Sequence, residues 1–463
     1  MAGSFCISGD GGPFERMMLL GTQKINEAGH LEIGGCDTVE LAERFGTPLY
    51  VMDEDHVRDN CRRYLRAFRQ GYGDADIAFA GKSFMAAAMC RIAEQEGLLL
   101  DVASGGELFT AQVAGYPMEG VIFHGSNKSV DEMQMALDLG VGRIVVDNFL
   151  ELAQLDELAR AARKRATVLL RLTPGIDPHT HRLIRTGQAD TKFGFNIKDG
   201  SGVLALRKAL DCTNVDLRGF HCHVGSQLLD VTALQQALRI MVRFMAEALE
   251  VGFKTSELNL GGGLGIRYLS THQPPTIEEF AARLVAVAKR ELARHELEAP
   301  KLVLEPGRSI VGEAGTTLYR IGAIKEVRTR KAPGSRIYVS VDGGLSDNPR
   351  PSLYDAKYEA IVANRATSPA DTVVTITGKH CETDTLIEDA KIASPTPGDI
   401  LAVYSTGAYN YSMASNYNRV PRPAVALVSG GRADVIVRRE TLEDLTSHDE
   451  IPHRLSAGRE ARR

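Results

Sequence analysis

One pattern recurs from Asp76 to about Gly307: a short apolar strand, a small or polar residue at its end, then apolar residues at helical spacing among charges. The strands read Asp76–Ala80, Leu98–Ala103, Val121–His124, Arg143–Asp147, Thr167–Leu172, Leu217–Val224, Glu257–Leu260 and Lys301–Glu305. Helix-like segments lie between them, for example Val130–Leu139 and Thr276–Leu297. A helix between successive strands is the crossover that parallel pairing needs, so the pattern predicts βαβ units. Eight in a row, over the ~250 residues a barrel occupies, predict an α/β fold built on a closed (β/α)8 TIM-type barrel.

The chain has 463 residues, more than one barrel needs. After Arg308 come β-rich runs, Thr316–Val327, Ser335–Val341, Asp371–Ile376, Asp399–Val403 and Ala424–Val437, separated by turn residues such as Pro333-Gly and Pro397-Gly. They predict a C-terminal antiparallel β-sandwich or barrel domain joined by N-terminal residues. The expected division is an N-terminal segment (1–46) joining the β domain, a barrel (47–310) led into by Thr47–Met52, the β domain (311–445) and a charged tail (446–463). A net charge of -5 gives no reason to expect nucleic acid or a membrane surface as partner. No apolar run approaches the ~20 residues of a membrane span, and Met1–Arg16 lacks the basic start and apolar core of a signal peptide. Seven scattered cysteines with no Cys-x-x-Cys pair suit reduced thiols in a cytoplasm.

Barrels gather their chemistry where strands end. Here those positions carry Lys82, Asp101, His124, Asp147, Arg171, His223, the Gly261-Gly-Gly run and Glu305. Apolar packing there would yield ~1–3 kcal/mol, whereas an unpaired buried charge costs several, so each needs a partner or a function. Gly81-Lys82-Ser83 resembles the end of a P-loop, but that motif needs glycine where Asp76 stands. A strand-end lysine suits Schiff-base chemistry, because burial and neighbouring charge can lower its pKa toward neutrality. Two later segments suit an anion: Asn259-Leu-Gly-Gly-Gly-Leu-Gly265, where Gly262 and Gly263 allow close backbone approach, and Glu305-Pro-Gly-Arg308, with Gly307 and a cation. Ser226 adds a hydroxyl, and loops after strands seven and eight are where barrels commonly bind phosphate. Gly265 reads as a tight turn. His221 and His223 share one strand face, a metal-binding device that needs further ligands from neighbouring strand ends; an imidazole lying over a flat cofactor ring fits one of them better. Lysine, phosphate cup and buried acid together point to pyridoxal 5'-phosphate, which stabilises a carbanion best when a carboxylate keeps its ring nitrogen protonated. A cofactor-free Schiff-base aldolase is the competing enzyme class. A non-enzymatic cofactor carrier would leave the C-terminal domain without a purpose.

The stretches LDVASGGEL, FHGSNK, KFGF, GFHCHVGSQ, NLGGGLGI, EPGRSIV, RPSLYDA, CETD and TGAYNYSMASNYN, spread over about Gly46 to Pro423, resemble the fold-type III pyridoxal-phosphate decarboxylases, and among them the branch acting on meso-diaminopimelate. The resemblance implies that Lys82 carries the cofactor, His223 stacks on its ring and Glu305 meets the pyridine nitrogen. It puts Ser226, Gly263, Gly307 and Arg308 in the segments holding the phosphate and the substrate carboxylate, and Tyr409 against cofactor and substrate. It further implies that Arg350 and Tyr354 grip the distal carboxylate, and that Cys381, as proton donor, and Glu382, for the distal amine, come from a second subunit of a homodimer. A decarboxylase of a related amino acid is the neighbouring alternative. Arginine plus acid at the far end favours a substrate bearing both a carboxylate and an amine there. Two segments depart from the family: FAGKSF stands in place of Tyr-Ala-x-Lys-Ala-Asn, and Ser126 in HGSNK in place of asparagine.

Overall fold

The computed structural model of the protein describes residues 19–176, 190–328 and 334–456. Eight parallel strands close into a barrel in chain order: Ala75–Ala80, Leu99–Val102, Val121–Phe123, Arg143–Val146, Ala166–Thr173, Val215–His221, Glu257–Asn259 and Lys301–Leu304. The eighth strand pairs back onto the first, Leu302 with Ala75 and Leu304 with Ile77, which completes the ring. A short strand, Phe195–Asn196, adds alongside the fifth.

Ala78, Ile122, Val145, Leu169 and Val303, all buried, form a compact apolar cluster contributed by five strands, with Leu99 packed against it. Strand side chains alternate between faces, so the residue two positions further on shares the direction. From Leu99, Ile122, Val145, Leu169 and Val303 that step reaches Asp101, His124, Asp147, Arg171 and Glu305. The apolar layer is the floor beneath a polar ring, as the strand-end reading anticipates. Outside, the helices are amphipathic. Ile277–Arg294 starts on a capping box between Thr276 and Glu279 and buries Ile277, Phe280, Ala281, Leu284, Val285 and Ala288, at helical intervals. Phe280 meets Phe68 of helix Glu54–Tyr72 edge-on at 6.2 Å. Burying a Phe or Leu of this kind stabilises by roughly 1.5–3 kcal/mol.

The second domain differs from expectation in four ways. Leu49–Asp53, expected to lead into the barrel, lies in the second sheet instead, antiparallel to Gly315–Arg328 and parallel to Ala424–Ser429. The sheet is mixed, not purely antiparallel: Ser335–Val341 also pairs in parallel with Thr372–Thr377. The run Ala424–Val437 is two strands, turned at Gly430 and Gly431, both at positive φ (56° and 76°). The charged strand Thr385–Ile392, not anticipated, pairs with Thr372–Thr377. N-terminal residues do join this domain, with Leu31, Ile33 and Leu41 packing on Val51, Leu318 and Ala426. Of the expected tail, residues 457–463 lie outside the described residues. Among the described residues no helix is long and apolar enough to cross a membrane.

Candidate active site

A cavity of ≈ 520 Å³ opens at the C-terminal face of the barrel, where the second domain covers it. It brings together Lys82, His223, Ser226, Glu305, Arg308, Arg350, Tyr354 and Tyr409, eight of the residues singled out in the sequence. A smaller recess beside it is lined by Gly262, Gly263, Gly307, Ser226, Arg308 and Tyr409.

Glu305 is the centre of the polar ring. Its Oε1 accepts from His124 Nε2 (2.8 Å) and Asn259 Nδ2 (2.7 Å), and its Oε2 from His221 Nε2 (3.2 Å). Burial alone would raise this carboxyl, but His124 and His221 outweigh it and hold it well below the usual carboxylate range. Burial pushes His221 down to about 3, so it stays neutral and donates through Nε2, leaving Nδ1 buried without a hydrogen-bond partner. Asp101 is the other carboxylate near His124, with Oδ1 at 3.7 Å. The single Nε2 proton goes to the nearer oxygen of Glu305, and Asp101, raised by burial, is the weaker acid of the two. Asp147 pairs with Arg171 at 3.8 Å, the structural role open to it in the sequence.

Lys82 follows the first strand in a single 3-10 turn, Gly81–Ser83. Its Nζ lies 3.9 Å from Asp101 Oδ2, and its side chain is 45% exposed to the cavity. Here the expected lowering of the lysine pKa is reversed. Burial pulls it down, but Asp101 first, then Tyr409 and Glu305, more than offset this and raise it. The departures in FAGKSF have local causes. A Cβ on Gly81 would lie 2.9 Å from the Asp101 carbonyl oxygen. Ser83 donates to the Ala80 carbonyl (2.7 Å), and Phe84 packs edge-on against Tyr411 at 5.8 Å. In HGSNK, buried Lys128 donates to Glu151 (2.6 Å) and to the Val145 carbonyl (2.7 Å), anchoring the loop below the cavity.

The recess is glycine-lined because nothing larger fits. A Cβ on Gly262 would sit 2.3 Å from the Glu305 carbonyl oxygen, and one on Gly307 2.8 Å from Ser83 Oγ. Gly262 N–H donates to His223 Nδ1 (3.3 Å), which fixes the His223 ring; burial first, then Lys82 and Arg171, keep that imidazole neutral. Gly265, expected as a tight turn, instead crosses the loop after the sixth strand: its N–H donates to the Leu228 carbonyl (2.9 Å), and a Cβ there would lie 3.0 Å from that same oxygen. Arg308 donates to Ser226 Oγ from Nε (3.2 Å) and Nη2 (3.0 Å), and its guanidinium lies 4.7 Å from the Tyr409 ring centre. Tyr409 itself is at φ 61°, held by its N–H donating to the Ser83 carbonyl (2.8 Å).

Arg350, in the short helix Arg350–Tyr354, is buried, donates to Tyr358 OH (2.6 Å) and leaves Nε without a hydrogen-bond partner. Among the described residues neither Arg350 nor Arg308 makes an ion pair with a carboxylate. Two desolvated cations facing one cavity are a receptor for anions. Cys381 and Glu382 stand apart: both are exposed and outside the cavity, and Tyr417 OH donates to the Glu382 carboxylate. His124 and Phe193 line the cavity from the FHGSNK and KFGF stretches, where the sequence assigns neither a site role; His124 and Arg171 are marked there only as strand-end groups, and Tyr268, also lining the cavity, carries no signal.

His124, His221 and Glu305 bring ligand atoms within 4.8 Å of one another, a spacing a metal could use. Both imidazoles, however, spend their Nε2 hydrogens on Glu305, and Asn259 adds a third donor, which is the setting of a positioned carboxylate. Pyridoxal phosphate fits this donor set. Lys82 offers the amine, the glycine recess with Ser226 and Arg308 a phosphate cradle, and Glu305 an ionised partner for a ring nitrogen.

Comparison with known proteins agrees. The pyridoxal-binding domain of pyridoxal-dependent decarboxylases matches residues 55–312. Diaminopimelate decarboxylase of Bacillus subtilis (strain 168) is 47% identical over 435 residues, 94% of this chain and 98% of that protein. The crystal structure of diaminopimelate decarboxylase from M. jannaschii in complex with L-lysine is similar at a TM-score of 0.87 and 35% identity, covering 94% of this chain and 99% of that one. The Helicobacter pylori enzyme complexed with L-lysine gives 0.80 and 29%, covering 89% and 98%. The chain belongs to the diaminopimelate decarboxylase family of pyridoxal-dependent decarboxylases.

Proposed function

We propose that this protein removes the carboxylate at the D-centre of meso-2,6-diaminopimelate, giving L-lysine and CO2, the last step of lysine biosynthesis. The observation that carries the substrate is the pair of buried guanidiniums, Arg308 and Arg350, without an acidic partner among the described residues, in the cavity that holds Lys82 and Glu305. A diamine precursor with no second carboxylate would leave Arg350 desolvated and unpaired, at a cost of several kcal/mol.

Bound pyridoxal phosphate supplies an electron sink for the pair left on the α-carbon when CO2 departs. Lys82 anchors it, and Asp101 supplies the countercharge to Nζ when that amine is free. Glu305, held ionised, keeps a proton on the ring nitrogen, while His124, His221 and Asn259 prevent the carboxylate from turning away. The His223 ring, fixed through Gly262, would face the cofactor ring, and Ser226, Gly262, Gly263, Gly307 and Arg308 would hold its phosphate. Arg350 and Tyr354, with Arg308, would hold the distal carboxylate, and Tyr409, lining the same cavity, would contact cofactor and substrate. Cys381 and Glu382 act in the site of a second subunit: the Cys381 thiol returns a proton to the α-carbon, and Glu382 takes the distal ammonium. Their exposure, away from their own cavity, supports this reading of a homodimer. The free cysteines of the described chain suit a reducing cytoplasm.

The test is product identification after incubation with meso-diaminopimelate and pyridoxal phosphate; lysine is expected. Lys82→Ala should abolish both turnover and the yellow absorbance of the loaded protein. Retention of both would falsify the assignment of Lys82.

A further inference from the structure

The loop after the seventh strand, residues 261–268, crosses from the barrel into the second domain and is pinned along its length. Leu264 bridges to Leu228, and the Ile266 backbone is held from both sides by the Gln227 amide, at 3.1 and 2.8 Å. Arg267 N–H donates to Glu313 (2.7 Å), and its carbonyl accepts from Ser405 Oγ (2.8 Å). The next residue, Tyr268, is buried in the second domain's core with Tyr319 and Tyr358.

Tyr268 touches both cavity arginines. Its hydroxyl accepts from Arg308 of the barrel, and its ring centre lies 4.7 Å from the guanidinium carbon of Arg350 of the second domain. Tyr358 stands edge-on to the same ring (5.4 Å, 88°) and accepts from Arg350 Nη1 at 2.6 Å. One rigid ring therefore holds one cation at its hydroxyl edge and the other on its face.

We propose that Tyr268 is a positioning residue that fixes the two guanidiniums relative to each other, and so sets how far from Lys82 the distal carboxylate of the substrate must lie. This rests on the diaminopimelate reading. It places chain-length selection in a barrel loop residue that touches Arg308 and Arg350, beyond the groups that bind the carboxylate themselves.

The experiment compares the loaded wild-type enzyme with Tyr268→Phe and Tyr268→Leu. kcat/KM is measured on meso-diaminopimelate and on its homologues with one methylene fewer and one more. Losing the hydroxyl contact to Arg308 should cut the preference for the natural length about tenfold in Y268F, chiefly through KM, and more in Y268L. A merely structural role would lower all three substrates alike. Unchanged ratios in Y268F overturn the proposal, and Y268F alone decides if Y268L does not load cofactor. Calorimetric binding of adipate, pimelate and suberate to the same proteins gives a second readout. Y268F should lose the wild-type preference for pimelate; an unchanged preference overturns the brace. Should wild type fail to turn over diaminopimelate, the functional reading falls and the calorimetry still decides on Tyr268.

Discussion

Asp347, just upstream of Arg350, is buried, accepts from the Tyr319 hydroxyl through Oδ1 and from Gly344 N–H through Oδ2 (2.8 Å). Burial, with Asp384 and Asp342 nearby, lifts its carboxyl to about 7 against the opposing hydrogen bonds. A raised folded pKa means the folded chain holds the proton more tightly than the unfolded one. Its contribution to stability is therefore full below about pH 4 and is lost as pH rises through about 7, with a slope of at most ~1.4 kcal/mol per unit. Asp347→Asn, which cannot ionise, should lose less stability than wild type between about pH 5 and pH 8, as read by urea midpoints. At this scale the sequence was most informative where a polar residue ends a barrel strand: Lys82, His223 and Glu305 are conspicuous because apolar residues would otherwise fill those positions. Tyr268 is not, since an aromatic in a loop looks like core until Arg308 and Arg350 are seen on its edge and face. The raised Lys82 pKa is invisible in the sequence for a related reason, because the proximity of Asp101 is a fact of the folded ring and not of the segment.

The elements of the barrel were legible because each carries its own periodicity, and their ends fall within three residues of expectation, the sixth strand stopping at His221 where Val224 was expected. Leu49–Asp53 was not: its five residues are all buried, so it reads like one more barrel strand, while both of its partners lie far along the chain. Parallel pairing of Ser335–Val341 with Thr372–Thr377 was hidden for the same reason, since local pattern does not state which strand is the neighbour. The glycine turn after the seventh strand, in contrast, is a local feature with a steric cause. Gly262→Ala would press its methyl against the Glu305 carbonyl oxygen, a backbone atom set by the eighth strand. The variant should lose about 3 kcal/mol or more of stability and release cofactor on dialysis, checked by thermal unfolding and by absorbance.

For the whole molecule, the exposed segment bearing Cys381 and Glu382 predicts that function belongs to a pair of chains. Lys82→Ala and Cys381→Ala, each inactive alone, should recover activity when mixed under conditions of subunit exchange. Random pairing gives about a quarter of sites with both residues intact. No recovery despite demonstrated exchange would place Cys381 outside the partner's chemistry. The connectivity of the second sheet has a different consequence, felt during synthesis. Leu49–Asp53 needs Gly315–Arg328 on one side and Ala424–Ser429 on the other, so nearly the whole chain must leave the ribosome before this buried strand finds both neighbours. At ~5–20 residues per second that wait lasts tens of seconds. Throughout it the nascent chain exposes an apolar strand with two open edges, which makes this short segment the natural client of a chaperone while the barrel folds behind it.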